Sequence, residues 1–236
     1  MKIRRVATLR SSDDLFAHCR TIGVELPCDS EIVSGPNSPL AQPLAYKSRT
    51  IGNRFAILPM EGWDAEPDGK PSDLVRRRWH NFGRSGAKLI WGGEAAAVRP
   101  DGRANPNQLI INADTAEEIA RLRGELVRAH EANFERSDDL LIGLQLTHSG
   151  RFARPVDKKL LAPQILYHHP LLDAKFGLNG DYPLLQDDEI DALIEDFVHS
   201  AKLAQQAGFD FVDVAAAQTY GDAGRFAHCL PISQVC

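Results

Sequence analysis

From residue 53 onward, apolar residues follow two spacings that take turns along the chain. Phe55-Ala56-Ile57-Leu58, Leu89-Ile90-Trp91, Leu140-Leu141-Ile142-Gly143-Leu144 and Phe209-Asp210-Phe211-Val212-Asp213-Val214 are short and mostly apolar. Such runs predict strands buried on both faces, the kind that a parallel sheet makes. Between them apolar residues recur every three or four positions. Leu74, Val75, Trp79 and Phe82 follow a capping Ser72 and stop at Gly86. Ile119, Leu122, Leu126 and Phe134 follow Thr115-Ala116-Glu117-Glu118, which has the form of a capping box. Ile190, Leu193, Ile194, Phe197, Ala201 and Ala204 follow Asp187-Asp188 and end at Gly208. Strand and helix thus alternate, which predicts parallel strands joined by right-handed crossovers. Open doubly wound sheets and closed (β/α)8 barrels both begin this way.

The first 47 residues differ. Ser11 can cap a short helix carrying Leu15, Cys19 and Ile22, and Gly35, Pro36, Pro39 and Pro43 predict an irregular crossing segment. The expected division is 1–47, a helical prefix and crossing segment, and 48–236, a partial barrel domain that becomes atypical from about residue 215. A segment of 152–186 reads as a long loop.

Composition adds little direction. The chain has 236 residues, 43% hydrophobic and 25% charged, with net charge -5 and a pI near 5.9. Nothing in this balance favours nucleic acid or an anionic membrane as partner. Arg76-Arg77-Arg78 reads as a solvated helix face. No apolar segment approaches the roughly 20 residues that span a bilayer, and residues 1–30 lack a signal-peptide core. The four cysteines form no C-x-x-C pair and suggest neither zinc nor a disulfide framework, so a cytoplasmic location is expected. The adjacent His168 and His169 have no third ligand at suitable spacing, and no metal is expected.

Chemistry gathers where strands end. After the run 140–144 polarity switches abruptly to Gln145, Thr147, His148, Ser149 and Arg151, with Gly150 permitting a turn. Polar groups at the end of a buried strand are the usual arrangement of an α/β active face. His148 and Arg151 fit either ligand contact or the capping of a local turn. No G-x-G-x-x-G or Walker A motif occurs, which counts against the common nucleotide-binding open sheets. An aldolase-type barrel would need a Schiff-base lysine, and Lys88 opens its strand rather than closing it.

With these stretches placed, the chain resembles the old yellow enzyme family of FMN-dependent NAD(P)H:flavin oxidoreductases. Asn53 to Met60 looks like that family's first strand, N-R-x(4)-P-M. Lys88 to Pro100 is similar to its second, where a small residue follows Glu94. Gln145 to Arg151 looks like Q-L-x-H-x-G-R, and Gly208 to Val214 is similar to the fourth. The resemblance implies a (β/α)8 barrel with FMN as cofactor and NAD(P)H as reductant. It implies backbone contact to the flavin from Pro59 and Met60, room for the ring at Ala95, and a hydrogen bond from Gln145 to the pyrimidine edge. It also implies hydride transfer to a small-molecule acceptor such as an activated alkene. Strand termination remains the plain alternative for Pro59 and Met60, and core packing for Ala95.

The fourth station departs. Family members carry a His-x-x-His or His-x-x-Asn pair there, followed by Gly-Tyr; this chain has Ala215, Ala216, Ala217, Gln218, Thr219 and Tyr220. Gln218 could supply one hydrogen bond, and Tyr220 matches the proton donor. Loss of one oxyanion donor costs about 10²–10³ in rate. Only about four βα units are legible, so the sequence reads as a truncated or frame-shifted copy diverging near residue 215. The rival reading is a non-catalytic half-barrel that acts through oligomerisation or a partner chain, with a homo-oligomer left open.

Overall fold

The computed structural model describes residues 4–27, 29, 31–215 and 230–231. Two compact units divide the chain at Pro39 and Leu40. The first holds helix α1 (Ser12–Thr21). The Ser11 hydroxyl accepts from the Asp14 amide at 3.1 Å, and the Asp14 carboxylate accepts from the Arg10 amide at 3.0 Å. That reciprocal pair satisfies two amides no helix turn can reach.

The second unit opens with an antiparallel hairpin, β1 (Leu44–Tyr46) and β2 (Arg49–Ile51). The alternating pattern then proceeds as β3 (Ala56–Ile57), α2 (Asp73–Arg84), β4 (Leu89–Ile90), β5 (Ala95–Ala97), α3 (Ala116–Phe134), β6 (Leu141–Thr147), α4 (Pro170–Phe176), α5 (Asp187–Gln206), β7 (Phe211–Ala215) and β8 (Leu230–Pro231). The sheet runs β3-β4-β6-β7-β8, and β5 pairs with β6 on the same side as β4. β4 and β5 are therefore two pieces of one strand path, interrupted at Trp91–Glu94. Every pairing from β3 to β7 is parallel; β8 lies antiparallel to β7 beside Phe211 and Val212. On the β7 side the edge is in part paired, by β8.

One apolar core explains the arrangement. Ile90, Ile142, Leu144, Leu146 and Val212 point to the face covered by Val75 and Trp79 of α2, Ile119, Leu122 and Leu126 of α3, and Leu193, Ala201 and Ala204 of α5. All three helices pack on that one face. A doubly wound sheet would be covered on both, so the one-sided core matches the opening units of a (β/α)8 barrel. The alternate residues, among them Gly143, Gln145, Phe211 and Asp213, face the other way.

Two local details depart from the sequence expectation. Thr115 precedes α3 but makes no cap: its hydroxyl donates to the Ile110 carbonyl at 2.7 Å instead. A capping box occurs at α5, between Gln186 and Glu189. Within 152–186, Pro170 at the first helical position and the His169 ring accepting from the Leu172 amide start α4, a helix the loop reading missed.

α2 and α3 pack backbone to backbone at Gly83, where an added Cβ would stand 2.3 Å from the Leu126 carbonyl oxygen. Alanine is worth up to about 1 kcal/mol over glycine in a helix. Overpacking costs more, so Gly83→Ala is expected to destabilise by about 1–3 kcal/mol in urea unfolding.

At the strands' N-terminal ends the Lys88 ammonium donates to Asp139 at 2.7 Å and lies 2.8 Å from His130 Nε2, while His130 Nδ1 lies 2.9 Å from the Gly83 carbonyl. A carbonyl only accepts and an ammonium only donates, so the ring is neutral with its proton on Nδ1. Burial holds His130 below its ordinary pKa of 6.5; Lys88 pushes the same way, and Asp139 and Glu131 oppose. Its contribution is therefore complete above the unfolded value and declines as pH falls below it. Stability in urea should drop as pH falls below about 6.5, and His130→Leu should flatten that dependence.

Candidate functional site

The interruption between β4 and β5 builds the site. Gly92 sits at φ +80°, and a Cβ there would stand 2.8 Å from the Gln145 amide nitrogen and 3.2 Å from Pro59 Cβ. Only glycine lets the backbone pass between these two residues in that conformation. The Ala95 amide donates to the Met60 carbonyl at 3.3 Å, and Ala95 pairs directly with Gln145 in the β5–β6 register. Pro59, Met60, Ala95 and Gln145, separated by 86 positions from first to last in sequence, are thus brought together at the C-terminal ends of three adjacent strands. Ala95 is buried, Pro59 and Gln145 are half-buried, and Met60 is 71% exposed.

The loop after β3 is held from behind. Arg78 of α2 donates to both Asp64 oxygens at 2.7 and 2.8 Å and to Glu94 at 2.7 Å; the other Glu94 oxygen accepts from the Gly62 amide at 2.7 Å. Burial raises the Glu94 pKa, and Arg78 opposes that rise. Hydrogen bonds from Arg78 hold the Asp64 carboxyl below its ordinary range. The arginine run is therefore not a plain solvated face, because Arg76 also pairs, with Glu118 and Glu125.

Gln145 is fixed from the other side. Its Nε2 donates to Asp213 Oδ2 at 2.7 Å, and the Trp91 indole N–H donates to the same oxygen at 3.1 Å. Trp91 also packs edge-on against Phe211, ring centres 5.2 Å apart. Sequence reading passed over Trp91 and Asp213; the signal was their position, at a strand end and on the alternate face from the apolar Val212.

The polar cluster after β6 turns inward. His148 is buried, its ring presses on Gly102, and its Nδ1 accepts from the Gly150 amide at 3.2 Å. Burial pushes its pKa down to about 4. Arg151, also buried, donates to Asp173 and, at 2.7 Å, to the Tyr167 carbonyl. Burial would raise Asp173, but hydrogen bonds from His168 and Arg151 outweigh it and keep the carboxyl ionised. Of the two readings for His148 and Arg151, the turn-holding one describes these contacts. Among the described residues no group of three or more His, Cys, Asp or Glu could hold a metal, and no helix is long and apolar enough to cross a membrane. Gln218 and Tyr220 lie outside the described residues.

A family model, the NADH:flavin oxidoreductase / NADH oxidase family, matches residues 39–221. The chain belongs to this family. An NADPH dehydrogenase of Bacillus velezensis is 30% identical over 186 residues, covering 77% of this chain and 49% of that protein. An NADPH dehydrogenase of a Geobacillus strain is 28% identical over 190 residues, covering 77% and 48%. The old yellow enzyme from Trypanosoma cruzi aligns in structure with a TM-score of 0.55 at 27% identity, over 78% of this chain and 53% of that one. The fold is thus that of the family's (β/α)8 barrels, and the chain spans about half the length of the curated relatives it matches.

Arg78→Met would leave Glu94 buried without its cation. Removing one partner of a buried pair costs about 3–5 kcal/mol. The single variant is expected to lose about that much stability in urea, and Arg78→Met with Glu94→Gln to recover part of it.

Proposed function

We propose that this chain carries a flavin-ring site and belongs to an FMN-dependent NAD(P)H oxidoreductase acting on a small activated alkene or related acceptor. The observation that supports the reading is the convergence of Pro59, Met60, Ala95 and Gln145 at adjacent strand ends. These residues suit a flat, largely apolar ring with a polar edge. Gly92 keeps the floor free of side chain, Ala95 is the smallest residue with a Cβ, Met60 offers an exposed apolar shelf, and Gln145 offers hydrogen bonds. Bound FMN would supply the hydride chemistry, accepting from NAD(P)H and passing to the acceptor. The protein's part is to hold the ring edge through Gln145 and the Pro59–Met60 backbone, with the loop behind them braced by Arg78 and Glu94. Tyr220 is the proposed proton donor, and Gln218 the proposed hydrogen-bond donor to the acceptor's oxygen. The acidic net charge supports small-molecule partners over nucleic acid or an anionic membrane, and the cysteine usage supports a cytoplasmic location.

A second reading, a half-barrel that works through another chain, is favoured by one feature. Phe55, Leu58 and Met60 are 51%, 69% and 71% exposed along β3 and its end, an apolar edge of the kind that partner surfaces cover.

Titration of the purified chain with FMN, followed by quenching of flavin fluorescence, separates the two. Saturable binding that Gln145→Leu weakens by about tenfold, together with NADPH oxidation in the presence of an enone, is the expected result. Absence of FMN binding with concentration-dependent self-association would support the second reading.

A further inference from the structure

We infer that Asp213 is the positioning residue that decides which way round Gln145 faces, and so which hydrogen-bonding edge of a ligand this site accepts. The inference rests on the flavin reading for the ligand's identity, but not for the orientation itself. An amide side chain can usually be turned end for end without cost to its fit, because its oxygen and nitrogen are nearly alike in size. Here the neighbours forbid it. An ionised carboxylate only accepts and an indole N–H only donates. Asp213 Oδ2 lies 2.7 Å from the amide end of Gln145 and already holds the Trp91 N–H at 3.1 Å. Turned over, Gln145 would set its carbonyl oxygen against the carboxylate, acceptor against acceptor.

Placement makes the lock tight. Gln145 and Asp213 are direct partners in the β6–β7 register, so their side chains leave the sheet on the same face at the same height. Trp91 reaches the same oxygen from beyond β4, on the opposite side of β6, and its ring is wedged against Phe211. One amide hydrogen of Gln145 is spent on Asp213. What remains is Oε1, which has no partner among the described residues, and the second amide hydrogen. The site therefore presents an acceptor and a donor in fixed order, and a ligand must supply an N–H to Oε1. A flavin's pyrimidine edge offers one at N3, flanked by carbonyl oxygens. An analogue whose N3 carries a methyl group offers none, and it leaves Oε1 without a partner.

The test has a ligand-free arm and a ligand arm. In the apo chain, the Gln145 side-chain NH2 signals in a ¹⁵N spectrum, assigned by their loss in Gln145→Leu, are expected to shift in Asp213→Asn and, by less, in Trp91→Phe. Signals that stay put in both variants would overturn the positioning role, whatever the chain binds. In the ligand arm the wild-type chain is titrated with FMN and with 3-methyl-FMN. The expected result is at least about tenfold weaker binding of the methylated probe, the size of one hydrogen bond to a buried acceptor. Asp213→Asn, which can donate to Oε1 and let Gln145 turn, should bind FMN more weakly and shrink that ratio towards one. Equal affinity of the wild type for the two probes would overturn the inference without touching the flavin reading. No binding of either probe, with the NMR shift present, would overturn the flavin reading and leave the orientation of Gln145 established.

Discussion

Everything in the larger unit depends on the register of one strand. β6 pairs with β4 through Leu141 and Ile142, with β5 through Gln145 to Thr147, and with β7 along Gly143 to Thr147. A strand's side chains alternate, so a slip of one residue would turn Ile142, Leu144 and Leu146 away from the helices and present Gln145 to the core. Burying a polar amide among Trp79, Leu122 and Leu126 without a partner costs a few kcal/mol, and exposing three large apolar side chains costs several more. The packing that stabilises the sheet is therefore the same constraint that places Gln145 at its open end. Gly143 belongs to this constraint: the Phe211 ring occupies the space where its Cβ would be.

Ion pairs mark the two ends of the sheet, most of them buried or half-buried, and do different work there. At the N-terminal ends, Lys88 with Asp139 and Asp210 with Arg49 join segments that follow or precede strands, and Asp210 also accepts from the Ile142 amide at 2.9 Å. These contacts reinforce register. At the C-terminal ends, Arg78 with Glu94 and Arg151 with Asp173 tie loops to helices or to other loops. A buried pair contributes little net stability over an apolar substitute, but losing one partner is expensive. Such pairs specify where a loop lies more than whether the domain folds. The C-terminal set lies around the residues of the proposed flavin site, where such precision matters most.

The alternation of short apolar runs with helical stripes was legible in the sequence because strand and helix each impose their own period, and the core enforces both. The four stations of Pro59-Met60, Ala95, Gln145 and the strand through Val214 were legible for a related reason, since each sits where an apolar run stops. Three things were hidden. Thr115 looks like a cap, but nothing local reveals that the Ile110 carbonyl needs its hydroxyl more than the helix does. The α4 helix is seven residues long and too short to show a period, so only His169 and Pro170 announced it. The split between β4 and β5 is invisible because Gly92-Gly93 reads equally as a turn that ends a strand or as a bend within its path. The arginine run misled for a different reason: its partners Asp64, Glu94, Glu118 and Glu125 are far along the chain or on another helix, and charge pairing across elements leaves no periodic trace.

These hidden features share a physical cause that bears on the site. Polar side chains near Gln145 are chosen by their neighbours in space rather than by their neighbours in sequence. His148 and Arg151 lie within a few residues of Gln145 yet turn into the protein, because burial, the Gly102 backbone and Asp173 claim them. Asp213 and Trp91 lie 68 and 54 positions away, yet Asp213 accepts its hydrogen bond and Trp91 donates to the same carboxylate oxygen. A motif such as Q-L-x-H-x-G-R therefore mixes two classes of residue, one at the open end of the sheet and one holding the turn beyond it. Only the register of β6 with its neighbours separates them. Residues on the same face and level as Gln145 line the open end of the sheet, the edge proposed for recognition, and those past the strand's end, where the chain reverses, hold the turn.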